Sequence, residues 1–183
     1  GDIYNEYCIR CKRNGAMDFD DLLLQTNILL RDAPDVLEQY RSRYKYIMVD
    51  EFQDTSIQQY QMMHLLADQN VAVVGDDDQS IYSWRGANYE NIRMFERDFP
   101  QVKEIRLEQN YRSTQSILNA ANAVIAHNLG RKGKRLWTAN DCGDPITVYE
   151  AGDESAEANY VANQIISGSK GKNFKDYAIL YRT

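Results

Sequence analysis

The sequence predicts an α/β fold in which short parallel strands are flanked by helices. Apolar runs at 46–49, 71–75, 102–107, 146–149 and 177–181 have the length and composition of buried strands. Stretches with apolar residues at helical spacing separate them, and this alternation of element types calls for parallel pairing. The first two runs end in acidic, polar loops, which in such sheets face the crevice where ligands bind.

Taken in order, residues 1–16 are polar and basic and read as the tail of a helix ending near Gly15. Asp18 is placed to N-cap a helix with Phe19, Leu22, Leu23 and Leu30 on one face, and its first turn holds Asp20 and Asp21, where the helix dipole favours anions. Pro34 suits the first turn of a short following helix. The strand at 46–49 leads to a helix over 56–69, then the strand at 71–75. A helix over 88–98 turns Ile92 and Phe95, with Phe99 just beyond, to one side, and Pro100 ends it. The pattern then restarts: strand 102–107, and a helix over 113–128 with Ile117, Ala120, Ala121, Val124 and Ile125 at helical spacing. A loop over 130–144 with Gly130, Gly133 and Gly143 follows, closed by Pro145. Strand 146–149, helix 154–167 and strand 177–181 complete the chain.

Composition narrows the function. The 183 residues are 43% hydrophobic and 26% charged, ordinary for a globular protein. No apolar run reaches the roughly 18 residues that span a bilayer, and the opening residues lack a signal peptide's apolar stretch. A leading Gly1 and an end directly after a strand read as boundaries within a longer chain. Cys8 and Cys11 have C-x-x-C spacing, but Cys142 stands alone, so reduced thiols in a cytosolic protein are expected rather than a metal or redox centre. His64 and His127 fall in helical patterns and read as packing or surface residues. The net charge of −6 argues against binding nucleic acid by bulk phosphate neutralisation. Any contact with DNA must therefore be local, by stacking and short-range bonds.

Three segments carry chemistry. In VDEFQDT (49–55), Asp50 is placed to hold Mg²⁺, largely through water, and Glu51 to position or deprotonate an attacking water. An acidic turn with Asp54 or Thr55 capping the next helix is the structural alternative. In GDDDQSIYSWRGA (75–87), Gln79 can donate to a terminal phosphate oxygen, or can simply satisfy loop backbone groups. Tyr82, Trp84 and Arg85 offer flat surfaces for unstacked bases and a charge for the backbone, unless the rings are core. In LEQNYRS (107–113), Tyr111 can stack on a purine and Arg112 can reach a γ-phosphate, or Tyr111 packs and Arg112 pairs with Glu108.

In this order and spacing the three segments resemble motifs II, III and IV of superfamily 1 DNA helicases of the UvrD/Rep/PcrA type. MDFDDLL upstream and DYAILYRT at the end are also similar to that family, so the likeness covers nearly the whole chain. The resemblance implies RecA-like (P-loop NTPase-type) α/β domains with ATP and Mg²⁺ between them and single-stranded DNA across both. It puts 1–16 at the end of an inserted helical subdomain, 17–104 in the C-terminal part of the first core domain, and 105–183 in the N-terminal part of the second. It makes Asp50 the magnesium ligand, Glu51 the catalytic base, and Gln79 the contact between γ-phosphate and DNA loop. Tyr82, Trp84 and Arg85 would touch the strand, Tyr111 the adenine, and Arg112 the γ-phosphate. It further implies 3′–5′ translocation on single strands, unwinding of duplex DNA in repair or replication, and a bacterial cytoplasmic, nucleoid-associated location.

The phosphate-gripping G-x-x-x-x-G-K-[ST] is absent; Gly133-Lys134-Arg135 and Gly171-Lys172-Asn173 come nearest. The family carries that loop upstream of the segment matched here. The 183 residues alone are thus expected neither to hydrolyse ATP nor to unwind DNA. Two other readings are open at this stage. The helicase part of a RecB/AddA-like helicase–nuclease shares the motif order, although its third motif more often reads GDPKQ. A non-catalytic module binding single-stranded nucleic acid would need none of Asp50, Glu51 and Arg112.

Overall fold

Two parallel strands and the helices around them form the centre of the first half. The computed structural model describes residues 1–67, 70–88, 90–128, 133–169 and 173–181. Strand β1 (Ile47–Val49) pairs with β2 (Val71–Val73) in parallel, Met48 opposite Ala72. The pairing continues past the ladder, where Val74 donates to the Val49 carbonyl at 2.8 Å and Phe52 to that of Val74 at 2.9 Å. The chain therefore leaves both strands at the same edge, with the two acidic loops side by side.

Helices α1 (Asp2–Arg13), α2 (Phe19–Asp32) and α3 (Pro34–Arg43) precede these strands, α4 (Ile57–Leu66) joins them and α5 (Glu90–Asp98) follows. Asp18 caps α2 as expected, in a reciprocal box: it accepts from the Asp21 amide at 2.8 Å, and Asp21 accepts from the Asp18 amide at 3.3 Å. Pro34 opens α3. Ser56, rather than Asp54 or Thr55, caps α4, because its hydroxyl and Gln59 form a second such box. Residues 68–69 of the helix expected over 56–69 lie outside the described set.

Phe52, Tyr60, Met63, Ala67 and Phe95 form the core, with Ile47, Val49, Val71 and Val73 packed on it from the sheet. Side chains alternate between the faces of a strand, so only this face of β1 is covered, and Met48 is 77% exposed on the other. The strands are thus not buried on both sides as expected. His64 belongs to the same packing, stacked on Tyr60 and edge-on to Phe99. Burial and the bond to Asp98 both push the Tyr60 phenol above its ordinary range. Phe19, expected on the inner face of α2, is exposed.

The second half departs further from expectation. Helices α6 (Gln115–Ile125) and α7 (Glu154–Gly168) form where the periodicity places them. The strands expected at 102–107, 146–149 and 177–181 do not. A strand owes its backbone hydrogen bonds to a neighbour, and pairing is marginal without a covered apolar face. Here Leu107, Val148 and Leu180 are largely exposed, and the single bridge among the described residues of this half joins Gln109 to Trp137. Of the expected α/β architecture, the described residues form one two-stranded parallel sheet flanked by helices. Within the loop expected over 130–144, residues 130–132 lie outside the described set.

Candidate functional site

The strand edge sets the first two groups. Asp50, directly after β1, is exposed, and its Oδ1 accepts the Glu51 amide at 2.9 Å. Glu51 has φ 50° and ψ 42°, the left-handed region, which a non-glycine residue enters at a cost of about 1–2 kcal/mol. Among the described residues it is the one non-glycine with positive φ. That turn aims its carboxylate back toward Gln53, whose Nε2 donates to Glu51 Oε2 at 2.8 Å.

Gln53 was not singled out in the sequence, yet it joins the two loops. It is 2% exposed, and its Oε1 accepts the Asp76 amide at 3.0 Å while its Nε2 holds Glu51. Gly75 makes this approach possible: a Cβ there would lie 2.7 Å from Gln53 Oε1 and 3.2 Å from the amide nitrogens of Gln53 and Phe52. The Gln53 amide is held at both ends and cannot retreat cheaply. Gly75→Ala is expected to destabilise the fold by about 1–3 kcal/mol, read as a lower midpoint in urea unfolding.

The second loop runs through a short turn at Asp77–Gln79. Asp76 Oδ1 accepts the Asp78 amide at 3.0 Å, and Asp76 Oδ2 accepts Gln79 Nε2 at 2.8 Å. Gln79 is exposed and uses one amide hydrogen on Asp76, leaving its second N–H for another acceptor. Carboxylate oxygens of Asp76, Asp77 and Asp78 lie within 4.8 Å of one another, the one such group among the described residues. Lys134 already supplies its cation: Nζ contacts Asp76 Oδ1 and lies 3.8 Å from Asp77 and 4.0 Å from Asp78. Burial pushes the Asp76 carboxyl up, but the bonds from Lys134 and Gln79 outweigh it and hold the group below its ordinary 3.8. Exposed Asp50, with an oxygen to spare, suits a Mg²⁺ that keeps most of its water; the lysine-filled triad does not.

Farther along this loop Trp84 is 72% exposed and Tyr82 36%, their ring centroids 6.4 Å apart and tilted by 51°. Neither ring is core. Arg85 ends the same short turn, and its side chain lies outside the described set. A bridge from Ser56 to Ala87 ties this loop to the first one, and three bonds from the fully buried Asn91 amide to Thr55 and Ser56 tie the following helix α5 to it as well.

In the second half, Asn110 Oδ1 accepts the amides of Arg112 and Ser113 at 2.9 and 2.7 Å, a turn that leads toward α6. Tyr111 is 78% exposed and donates to Gln109 at 3.0 Å. Arg112 is exposed, with no ion pair among the described residues. Glu108, its alternative partner, accepts the Arg135 amide instead. The structure thus brings Asp50, Glu51 and Gln79 to one sheet edge beside Tyr82 and Trp84; Tyr111 and Arg112 stand on a separate turn. Gln53, Asp76 and Lys134 escaped the sequence reading because each acts by tertiary contact, Lys134 across 58 positions. The Gly75 before Asp76 was the one available signal.

The family model for the UvrD/REP helicase N-terminal domain matches residues 1–100, and that for the UvrD-like helicase C-terminal domain matches 105–183. The chain belongs to the UvrD/REP helicase family. It is similar to proteins named ATP-dependent DNA helicase PcrA, with 53% identity over 184 residues to that of Staphylococcus epidermidis and 50% over 186 to that of Leuconostoc citreum. To that of Staphylococcus aureus it is 52% identical over 184. The matches cover 99–100% of this chain but 25% of each relative, so the chain spans about a quarter of their length.

Proposed function

We propose that this chain is an internal segment of an ATP-dependent DNA helicase of the PcrA type, carrying one wall of its nucleotide site and the DNA loop beside it. The observation that supports this most is Gln53, whose buried amide ties Glu51 on the first loop to Asp76 on the loop that bears Gln79 and Trp84. A change at either loop is thereby mechanically felt at the other. In this reading residues 17–104 and 105–183 belong to two RecA-like core domains and 1–16 to an inserted helical subdomain. The protein works on DNA in the bacterial cytoplasm, in repair or replication, moving 3′ to 5′.

ATP with Mg²⁺ supplies the phosphoryl group that is transferred to water. Asp50 would hold the ion, and Glu51 would orient the water and take its proton. Gln79 would offer its second N–H to the terminal phosphate. Arg112 would bring positive charge to that same group and Tyr111 a stacking surface for the base. Trp84 and Tyr82 supply ring faces for successive bases, which reconciles single-strand binding with a net charge of −6. The segment by itself, without a G-x-x-x-x-G-K-[ST] loop, is inactive.

The full-length protein is expected to hydrolyse ATP faster when single-stranded DNA is present. Trp84→Ala should weaken single-strand affinity by about 1–3 kcal/mol, roughly 5- to 150-fold in Kd. Its turnover without DNA should not move, since the ring is largely exposed and, in this reading, serves the strand and not the phosphates. Fluorescence anisotropy with a labelled oligonucleotide, alongside steady-state ATPase, reads both. Turnover indifferent to DNA in the unsubstituted protein would refute the proposal.

A further inference from the structure

Lys134 lies in the second half of the chain, yet its ammonium sits among three carboxylates of the first, in contact with Asp76 and 3.8 and 4.0 Å from Asp77 and Asp78. The lysine side chain is only 19% exposed and that of Asp76 24%, so solvent screens the pair less than an ordinary surface bridge. Asp76 divides its two oxygens: Oδ1 faces Lys134, and Oδ2 accepts from Gln79 Nε2 at 2.8 Å. The cation therefore fixes the rotation of the very carboxylate that orients the Gln79 amide.

The other end of the connection is equally built. Lys134 sits on a strip fastened to the turn that carries Arg112. Trp137 donates to the Glu108 carbonyl at 3.0 Å, and Asn110 donates back to the Trp137 carbonyl at 2.7 Å. The Arg135 amide donates to Glu108 Oε1 at 3.2 Å. Asn122 of α6 clamps Leu136 from both sides, accepting its amide at 3.2 Å and donating to its carbonyl at 2.8 Å. The strip cannot slide along the Glu108–Asn110 segment without breaking these bonds.

We propose that Lys134 is a positioning residue that transmits the placement of the Arg112 turn to Gln79 through Asp76, so that the two phosphate-facing groups move into place together. This rests on the reading given under Proposed function, and it assigns a coupling role to a residue outside the three motifs. A lysine that merely neutralised an acidic cluster would need no anchored strip and would not share Asp76 with Gln79.

The test uses the full-length protein. Lys134→Met is expected to lower kcat for ATP at saturating single-stranded DNA on the order of tenfold, the scale of a sub-ångström misplacement of reacting groups. KM for ATP and nucleotide-free affinity for the oligonucleotide should stay within about twofold, because the Lys134 ammonium is engaged by Asp76, Asp77 and Asp78. Asp76→Asn, which keeps shape and removes the charge, should lower kcat similarly. The double variant should be no slower than the slower single one, since both cut one connection. An unchanged kcat in Lys134→Met with only a lower melting temperature would overturn the proposal, as would losses that multiply in the double variant. Should Lys134→Met not fold, Asp76→Asn alone decides, and an unaltered kcat there counts against it. Absence of DNA-stimulated turnover in the unsubstituted protein would instead strike the helicase reading itself.

Discussion

Glu51→Gln in the full-length protein is expected to lower ATP turnover roughly 100- to 10,000-fold, the contribution of a positioned general base, while nucleotide binding and the fold survive. The amide oxygen of the new side chain still accepts from Gln53 Nε2, so the buried link to Asp76 is kept. What disappears is the carboxylate proposed to take a proton from water. Glu51 also sits at φ 50°, a conformation that glutamate does not choose for itself. Strain of this kind persists where the surrounding structure imposes it, and it is a recurrent mark of sites where geometry matters more than stability. Single-turnover hydrolysis and a thermal melt separate the two effects: the rate should collapse and the melting temperature should hold.

Arg112→Ala should slow hydrolysis by about 1,000-fold or more, the range found when a finger arginine is withdrawn from a transferring phosphoryl group. Stability should scarcely change. The side chain is exposed without an ion pair among the described residues, and the turn beneath it is set by Asn110, not by Arg112. Arg112→Lys should recover little, because an ammonium cannot reproduce the planar, forked guanidinium. Pre-steady-state phosphate release compared with nucleotide affinity checks this, with the loss expected in kcat rather than in KM.

The sequence made legible those parts that local rules decide. Asp18 heads α2 because a short acceptor side chain meets the free amides there, and periodicity located α2, α5, α6 and α7 within a few residues; the cap of α4 is Ser56 and not the expected Asp54 or Thr55. The two adjacent strand ends were legible too, since each apolar run breaks into acids shortly past the paired Val49 and Val73, at Asp50 and at Asp76. The segments at 102–107, 146–149 and 177–181 were not, because an apolar run fixes a strand only where a neighbour offers a ladder. Val148 and Leu180, at 91% and 95% exposure, have the pattern without the partner. In the site, the groups proposed to meet ligands announce themselves by residue type and order. The groups that connect them do not: Gln53 reads as one more polar residue, and Lys134 as one more charge in a glycine-rich loop. Their roles come from contacts 23 and 58 positions distant.

Communication between the acidic edge and the aromatic loop is the core of the account. It is tested most directly by the single-strand affinity of the full-length Glu51→Gln protein with and without Mg²⁺-ATP, since hydrolysis no longer blurs the bound state. Saturating nucleotide is expected to change the oligonucleotide Kd by about fivefold or more, the lower end of coupling energies between linked sites. Identical affinities in the presence and absence of bound ATP would contradict it.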